Sequence, residues 1–451
     1  MLLDRDIIAA QATAPGEGGI AIVRLSGEGC EGALLRVFRP SAGRPLVNRR
    51  LTFGHLLDGD TVIDEAMAVM MRAPHSYTRE DVAEIHCHGS QTLVSRVLAL
   101  LLREGVRMAR PGEFTCRAFL NGRIDLTQAE AVMRMIRAGS DRALRSAVRQ
   151  LEGGVSAFVR EARAEITAML AALCAAVDFP DEVDEQETAE DVRARCLSLA
   201  ARLRDACDPR AGRMEDEGLR VVLCGRPNAG KSSLLNALLG GERAIVTDIP
   251  GTTRDTLSES LQIDGLRVVL TDTAGLRETG DAVERIGVAR AQKAIAEADV
   301  RVLVLDASVP LCEEEDVMPD GFAPELIVLN KSDLPAQVGE GELAARYPGA
   351  AQTTVCCVTG EGLDRLRAQL VSFAPAEDGE SSALTQARHA QAALRACKSL
   401  DDADAALADG MPLDVAAVDL SAALDALGEI TGETLREDVL DEIFSRFCVG
   451  K

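Results

Sequence analysis

Over residues 1 to 120, short apolar runs alternate with helix-spaced stretches. Gly19-Ile20-Ala21-Ile22-Val23-Arg24-Leu25 and residues 66–71 read as strands, 92–103 as a helix, and Pro111-Gly112 as a turn. This predicts a small α/β domain. From 126 to 177 the chain is rich in Ala, Leu, Arg and Glu at helical spacing, broken by Gly153-Gly154 and stopped at Asp178-Phe179-Pro180; a second helical stretch covers 189–207. At Leu219-Arg220-Val221-Val222-Leu223-Cys224 the pattern switches to a short buried strand, a glycine-rich turn and a helix, and strands then alternate with helices to about 372. Beyond an acidic link at 377–382, helical spacing returns from 385 to 447. The expected domains are therefore 1–120, a helical segment 121–216, a parallel-sheet insert 217–376 and a second helical segment 377–451. Helices on both sides of the insert allow one helical domain built from two distant segments.

A length of 451 residues fits about three domains, and 47% hydrophobic with 27% charged residues is a globular composition. Lys and Arg total 49 against 72 Asp and Glu, a net charge of −23, so a nucleic acid has to be bound by a local basic patch. Arg142, Arg145 and Arg149 share one helical face and are a candidate. Twelve cysteines scattered along the chain suggest reduced thiols and a cytoplasmic protein. Acids near the start and the lack of an apolar run of about 18 residues predict neither a targeting peptide nor a membrane span.

Gly225-Arg226-Pro227-Asn228-Ala229-Gly230-Lys231-Ser232 fits G-x-x-x-x-G-K-S between a strand and a helix. Backbone N–H groups there cradle phosphates, Lys231 adds charge near the β and γ phosphates, and the Ser232 hydroxyl suits Mg²⁺. Asp272-Thr273-Ala274-Gly275 ends a later strand, placing a carboxylate for the metal shell and an amide for the γ-phosphate. Asn330-Lys331-Ser332-Asp333 ends another, where the Asp333 carboxylate can accept guanine N1–H and N2–H₂. These features make GTP the expected nucleotide. Gly251-Thr252-Thr253-Arg254-Asp255 is a candidate switch segment, with Thr253 completing the Mg²⁺ shell. Leu276 follows Gly275 where many small GTPases carry a water-positioning Gln, so water has to be activated otherwise.

The whole pattern resembles the tRNA-modification GTPase family called MnmE or TrmE. The residues that carry the likeness are Ile8 to Gly16 (IAAQATAPG), Arg110 to Glu130 (RPGEFTCRAFLNGRIDLTQAE), the core from Gly225 to Arg290, and the C-x-G-K sequence Cys448-Val449-Gly450-Lys451. The resemblance implies a multidomain α/β plus α fold: an N-terminal tetrahydrofolate-binding and dimerisation domain, a two-segment helical domain and an inserted Ras-like G domain. It implies a homodimer that joins an MnmG-type (GidA) flavoprotein in a heterotetramer. That complex would place aminomethyl or carboxymethylaminomethyl groups on C5 of the wobble uridine of certain tRNAs, with a 5-formyl- or methylene-tetrahydrofolate as one-carbon donor.

Carried over residue by residue, the nucleotide contacts are Asn228, Ala229, Gly230, Lys231, Ser232 and Ser233, then Thr247, Asp248, Ile249, Pro250, Gly251, Thr252 and Thr253. Asp272, Thr273, Ala274, Gly275, Asn330, Lys331, Asp333, Cys356, Cys357 and Val358 complete them. The resemblance gives K⁺ to Asn228, Thr247, Ile249 and Thr252, Mg²⁺ to Ser232 and Thr253, and orientation of the attacking water to Glu284. Folate contacts fall on Arg24, Glu84, Arg123 (where Lys is commoner) and Lys451, with Cys448 a candidate for the modification chemistry. The alternative reading is a GTP-dependent ribosome-assembly or scaffold factor. Cys356-Cys357-Val358 replaces the usual Ser-Ala-Lys, so the guanine O6 contact is expected to survive through backbone N–H without the usual side-chain packing, with weaker guanine affinity.

Overall fold

The computed structural model describes residues 6–43, 45–240, 258–272, 292–311, 322–375 and 384–450. It divides into two compact units: Met1–Met133 with Gln150–Ala200 and Arg395–Lys451, and Arg134–Arg149 with Ala201–Leu394.

The first unit contains a seven-stranded sheet ordered β3-β4-β5-β6-β2-β1-β7, made of β1 (Ile8–Gln11), β2 (Gly18–Ser26), β3 (Phe38–Pro40), β4 (Thr52–Asp58), β5 (Thr61–Met71), β6 (Val82–Gly89) and β7 (Arg107–Met108). Alternation gives the sheet two faces. Ala21, Val23 and Leu25 of β2 and Ala83, Ile85 and Cys87 of β6 join a core covered by helices Cys30–Val37 and Gln91–Arg103, through Leu34, Val37, Val97 and Leu101. The intervening residues, Arg24, Glu84 and His86, belong to the opposite face.

Two helices from distant segments also pack together in this unit. Val159, Ala162, Ile166, Met169, Leu173 and Ala176 of Gly154–Asp178 are spaced 3,4,3,4,3, and Ala416, Leu420, Ala423, Leu427 and Ile430 of Leu413–Thr431 are spaced 4,3,4,3. Each stripe makes one apolar seam, and burying each leucine in it contributes roughly 1.5–3 kcal/mol. The Cys397 thiol donates to the Ala200 carbonyl at 3.5 Å and Arg193 pairs with Asp404 at 2.9 Å, tying further parts of the two segments together.

The second unit is built on a six-stranded sheet ordered β13-β12-β11-β8-β10-β9, comprising β8 (Leu219–Cys224), β9 (Ser258–Ile263), β10 (Leu266–Asp272), β11 (Val300–Asp306), β12 (Leu326–Asn330) and β13 (Ala351–Thr354). All neighbouring pairs are parallel except β9 with β10, a hairpin turned by Asp264 and Gly265, both at positive φ. The near-continuous Val/Leu runs of β8, β11 and β12 match strands buried on both faces. Where the chain enters and leaves this insert, Asp208 N–H donates to the Leu384 carbonyl and Leu384 N–H to that of Ala206, so its two ends meet.

The arginine-rich stretch forms two helices, Leu126–Arg137 and Asp141–Leu151. Ser140 Oγ accepts the Ala143 N–H at the second helix's start, and the Gly139 carbonyl accepts from Gln262 of β9. Arg134 is paired with Glu215 at 3.2 Å and Asp216 at 2.8 Å, while Arg142 donates to the Pro375 carbonyl. Of the candidate face Arg142, Arg145 and Arg149, Arg142 thus makes a contact within its own unit.

Candidate functional site

The strand ends of the second unit converge on one constellation. β8 runs into the loop Gly225–Gly230, where Gly225 (φ +133) and Gly230 (φ +97) adopt conformations that favour glycine. A Cβ at 225 would lie 2.2 Å from the Val304 carbonyl oxygen, and one at 230 would lie 2.1 Å from Asn330 Nδ2. Helix Lys231–Leu239 follows, so the positive end of its dipole adjoins the loop. Lys231, only 4% exposed, donates through Nζ to the carbonyls of Gly225 and Arg226 at 2.9 and 2.8 Å. Ser232 Oγ donates to Asp272 Oδ2 at 2.8 Å, bringing a hydroxyl from the loop beside a carboxylate from the end of β10. That pair of hard oxygens is the donor chemistry a Mg²⁺ ion takes. Asn228 stands exposed at the loop tip with φ +63.

The base-reading side is linked to this loop. Asn330 Nδ2 donates to the Ala229 carbonyl at 3.1 Å, and Lys331 Nζ reaches Asp306 Oδ2 at 2.6 Å. After β13 the Cys356 thiol donates to Asp333 Oδ1 and the Cys357 thiol to Asn330 Oδ1, both at 3.2 Å. Both thiols thus hydrogen-bond to side chains of the Asn330–Asp333 segment, a contact that the reading of the loop did not include. Val358, 88% exposed, adds no packing. Burial and the neighbouring Cys356 push the Cys357 thiol above its ordinary pKa, so it stays protonated and able to donate. Cys356→Ala should weaken GDP binding about fivefold, the worth of one net hydrogen bond near 1 kcal/mol, and Cys356→Ser should restore it; titration calorimetry with both variants measures this.

In the first unit, Arg24 and Glu84 lie opposite each other in the β2–β6 register, and Arg24 Nε donates to Glu84 Oε1 at 2.8 Å. Glu84 Oε2 lies 3.3 Å from His86 Nε2. The Arg24 guanidinium stands 5.7 Å from the Tyr77 ring centre and 5.9 Å from that of Phe114, and Arg123 stacks on Tyr77 at 4.6 Å. Tyr77 itself is held by a 3.0 Å hydrogen bond to Thr115. Three residues distant in sequence thus surround one aromatic ring, which the sequence patterns did not single out. His88 is bonded instead to Asp64, and Cys87 is buried in the core.

The Cys448 segment is docked in this unit. Gly112 N–H donates to the Cys448 carbonyl at 3.2 Å, and Gly450, at φ +93, lies so close to β1 that a Cβ would be 2.1 Å from the Gln11 oxygen. Cys448 is exposed. In the same unit, Arg107 and Arg117 bind Asp6 and Glu113. Hydrogen bonds from Arg107 hold the Asp6 carboxyl below its ordinary pKa.

Glu284, Thr247, Asp248, Ile249, Pro250, Gly251, Thr252, Thr253, Thr273, Ala274, Gly275 and Lys451 lie outside the described residues.

A glycine-rich phosphate-type loop, a Ser232–Asp272 pair and an Asn330–Asp333 segment gathered at the strand ends of one sheet are the arrangement of a P-loop GTPase. The family description "MnmE helical domain" matches residues 126–448, and "GTP-binding protein TrmE N-terminus" matches residues 7–123. The tRNA modification GTPases MnmE of Symbiobacterium thermophilum, Moorella thermoacetica and Chloroflexus aurantiacus are each 48% identical to this chain; each comparison covers at least 99% of both chains. Among solved structures, the G domain of the T. maritima FeoB iron transporter is 28% identical over 35% of this chain and 99% of its own, with a TM-score of 0.25. The chain belongs to the MnmE family of tRNA modification GTPases. It is a GTP hydrolase acting in tRNA modification. Among the described residues no helix is long and apolar enough to cross a membrane.

Proposed function

We propose that this chain is a cytoplasmic, K⁺-stimulated GTPase that works as a homodimer with an MnmG-type flavoprotein. Together they would install aminomethyl or carboxymethylaminomethyl groups at C5 of wobble uridine, using a tetrahydrofolate derivative. The observation that carries the reading is that one chain holds both a linked GTP-reading constellation and, in its other unit, the Arg24–Glu84 pair beside Tyr77 and Phe114.

In the GTPase half, Lys231 and the N–H groups at the start of helix Lys231–Leu239 neutralise phosphate charge, and Ser232 with Thr253 would hold Mg²⁺. The exposed Asn228 amide, with oxygens of Thr247, Ile249 and Thr252, would hold K⁺. The two cations supply positive charge beside the transferring phosphoryl group. Glu284 orients the attacking water, the role that Leu276 cannot fill.

In the other half, the Glu84 carboxylate would accept from pteridine N–H groups and the half-buried Tyr77 ring, backed by the buried Phe114, would offer a stacking surface. Arg123 and, by the family resemblance, Lys451 would pair with the carboxylates of the ligand's glutamate. Cys448, on its docked segment, serves the modification chemistry.

The test is mass spectrometry of tRNA nucleosides from a strain lacking this gene, complemented with wild type, Asp272→Ala or Cys448→Ser. The expected result is C5-modified wobble uridine in the wild-type complement alone. An unchanged nucleoside profile in the deletion strain would overturn the reading in favour of an assembly factor. Replacing K⁺ by Na⁺ should slow GTP hydrolysis by purified protein at least about tenfold, given what a cation in the finger position is worth. Equal rates in the two salts would remove Asn228 from the cation site.

A further inference from the structure

Beyond Arg123 the sheet face opens into a cavity of about 530 Å³, lined by Arg49, His75, Tyr77, Arg79 and Arg123 among others. This is the scale of a small-molecule site. None of its lining residues is acidic, and among the described residues none of the three arginines is ion-paired. In a chain with 72 acidic residues and a net charge of −23, three such guanidinium groups converging on one cavity require an explanation. Each is held by a single hydrogen bond to a backbone carbonyl: Arg49 to His75 at 2.6 Å, Arg79 to Asn121 at 2.9 Å and Arg123 to Tyr77 at 2.9 Å. A guanidinium has five N–H donors in a planar fork, so each retains donors for an anion. Arg49 and Arg79 also adopt left-handed backbone conformations, φ 61° and 60°, which are uncommon for a side-chain-bearing residue.

The cavity is continuous with the aromatic site through Tyr77, which lines it and also lies beneath Arg123 and beside Arg24. A ligand recognised by Glu84 and stacked near Tyr77 would extend its far end past Arg123 into this cavity. Guanidinium forks match carboxylates, and a γ-linked glutamate chain adds one carboxylate per residue.

We infer that Arg49, His75 and Arg79, together with Arg123, form a subsite for the oligo-γ-glutamyl chain of a polyglutamylated folate. The inference rests on the reading that this face binds folate, and it adds the form of the ligand selected. Arg49 and Arg79 bind the carboxylates beyond the first glutamate, so they discriminate long chains from short ones.

The test is the affinity of the full chain for 5-formyltetrahydrofolate carrying one or five glutamates, measured by titration calorimetry. Wild type should bind the pentaglutamate about tenfold or more tightly than the monoglutamate, as added charge-assisted pairs dictate. Arg49→Ala with Arg79→Ala should abolish that preference and leave monoglutamate affinity within about twofold, which also reports an intact fold. Arg49→Glu should weaken pentaglutamate binding further than Arg49→Ala. Equal binding of the two ligands by wild type would overturn the subsite while leaving the folate reading standing; failure to bind either would overturn both. A preference that survives the double substitution, or a double variant that loses tRNA affinity alone, would assign these arginines elsewhere and likewise overturn the inference.

Discussion

Asp333→Asn should lower the affinity for GDP and GTP about a hundredfold or more and create measurable binding of xanthosine nucleotides. In the proposed role the carboxylate would accept two adjacent guanine donors, N1–H and N2–H₂, through a charge-assisted bidentate pair worth about 3 kcal/mol. An amide offers one donor and one acceptor, which matches N1–H and the C2 carbonyl of xanthine. The geometry sharpens the expectation, because the Cys356 thiol fixes one carboxylate oxygen at 3.2 Å and so limits how the base-reading group can turn. Competition binding with guanosine and xanthosine diphosphates measures the exchange. Unchanged preference for guanine would mean that the base is read by other groups.

Gly230→Ala should be at least as damaging, with nucleotide affinity falling by about a hundredfold or more. A methyl group at this position meets two obstacles at once: φ is +97°, and the Asn330 amide nitrogen lies 2.1 Å from where the Cβ would be. Asn330 cannot yield without releasing the Ala229 carbonyl, and it also accepts from the Cys357 thiol. The phosphate loop and the base loop therefore fail together. Gly341→Ala serves as the control, because nothing lies within 4 Å of its Cβ position and its backbone is not in the left-handed region. Fluorescent GDP titration and thermal unfolding of both variants distinguish the two cases: the control should match wild type.

The GTPase signature was legible because a phosphate loop is a local demand on backbone. Two glycines, a lysine and a serine placed between a buried strand and a helix say most of what the geometry then needs. Asp272 and Asn330 were legible for the same reason, each ending an apolar strand. Arg24 and Glu84 carry no local signal: they are 60 residues apart in sequence and meet through the register of β2 with β6, so only the family resemblance pointed to them. Tyr77 and the basic cavity were not visible, because Arg49 and Arg79 are presented by left-handed turns rather than by a periodic element. The Cys356-Cys357 pair was legible as a departure, but its two thiol hydrogen bonds to Asp333 and Asn330 were not, because they depend on how two strand ends meet. The break before Asp141 was also hidden, with Gly139 and Ser140 fixing it through a side-chain cap and a contact to β9.

The pairing of helices Gly154–Asp178 and Leu413–Thr431 has a consequence for synthesis on the ribosome. The apolar stripe of the earlier helix, from Val159 to Ala176, emerges long before its cover is translated. In the interval the insert can close on itself, because its ends are joined at Asp208 and Leu384. Closing it shortens the effective loop that the last helices must span, and so lowers the entropic cost of bringing them back. Until they arrive, the nascent chain carries an uncovered hydrophobic seam. Its yield should therefore depend on chaperones that bind such surfaces during translation, more than the stability of the finished molecule would suggest.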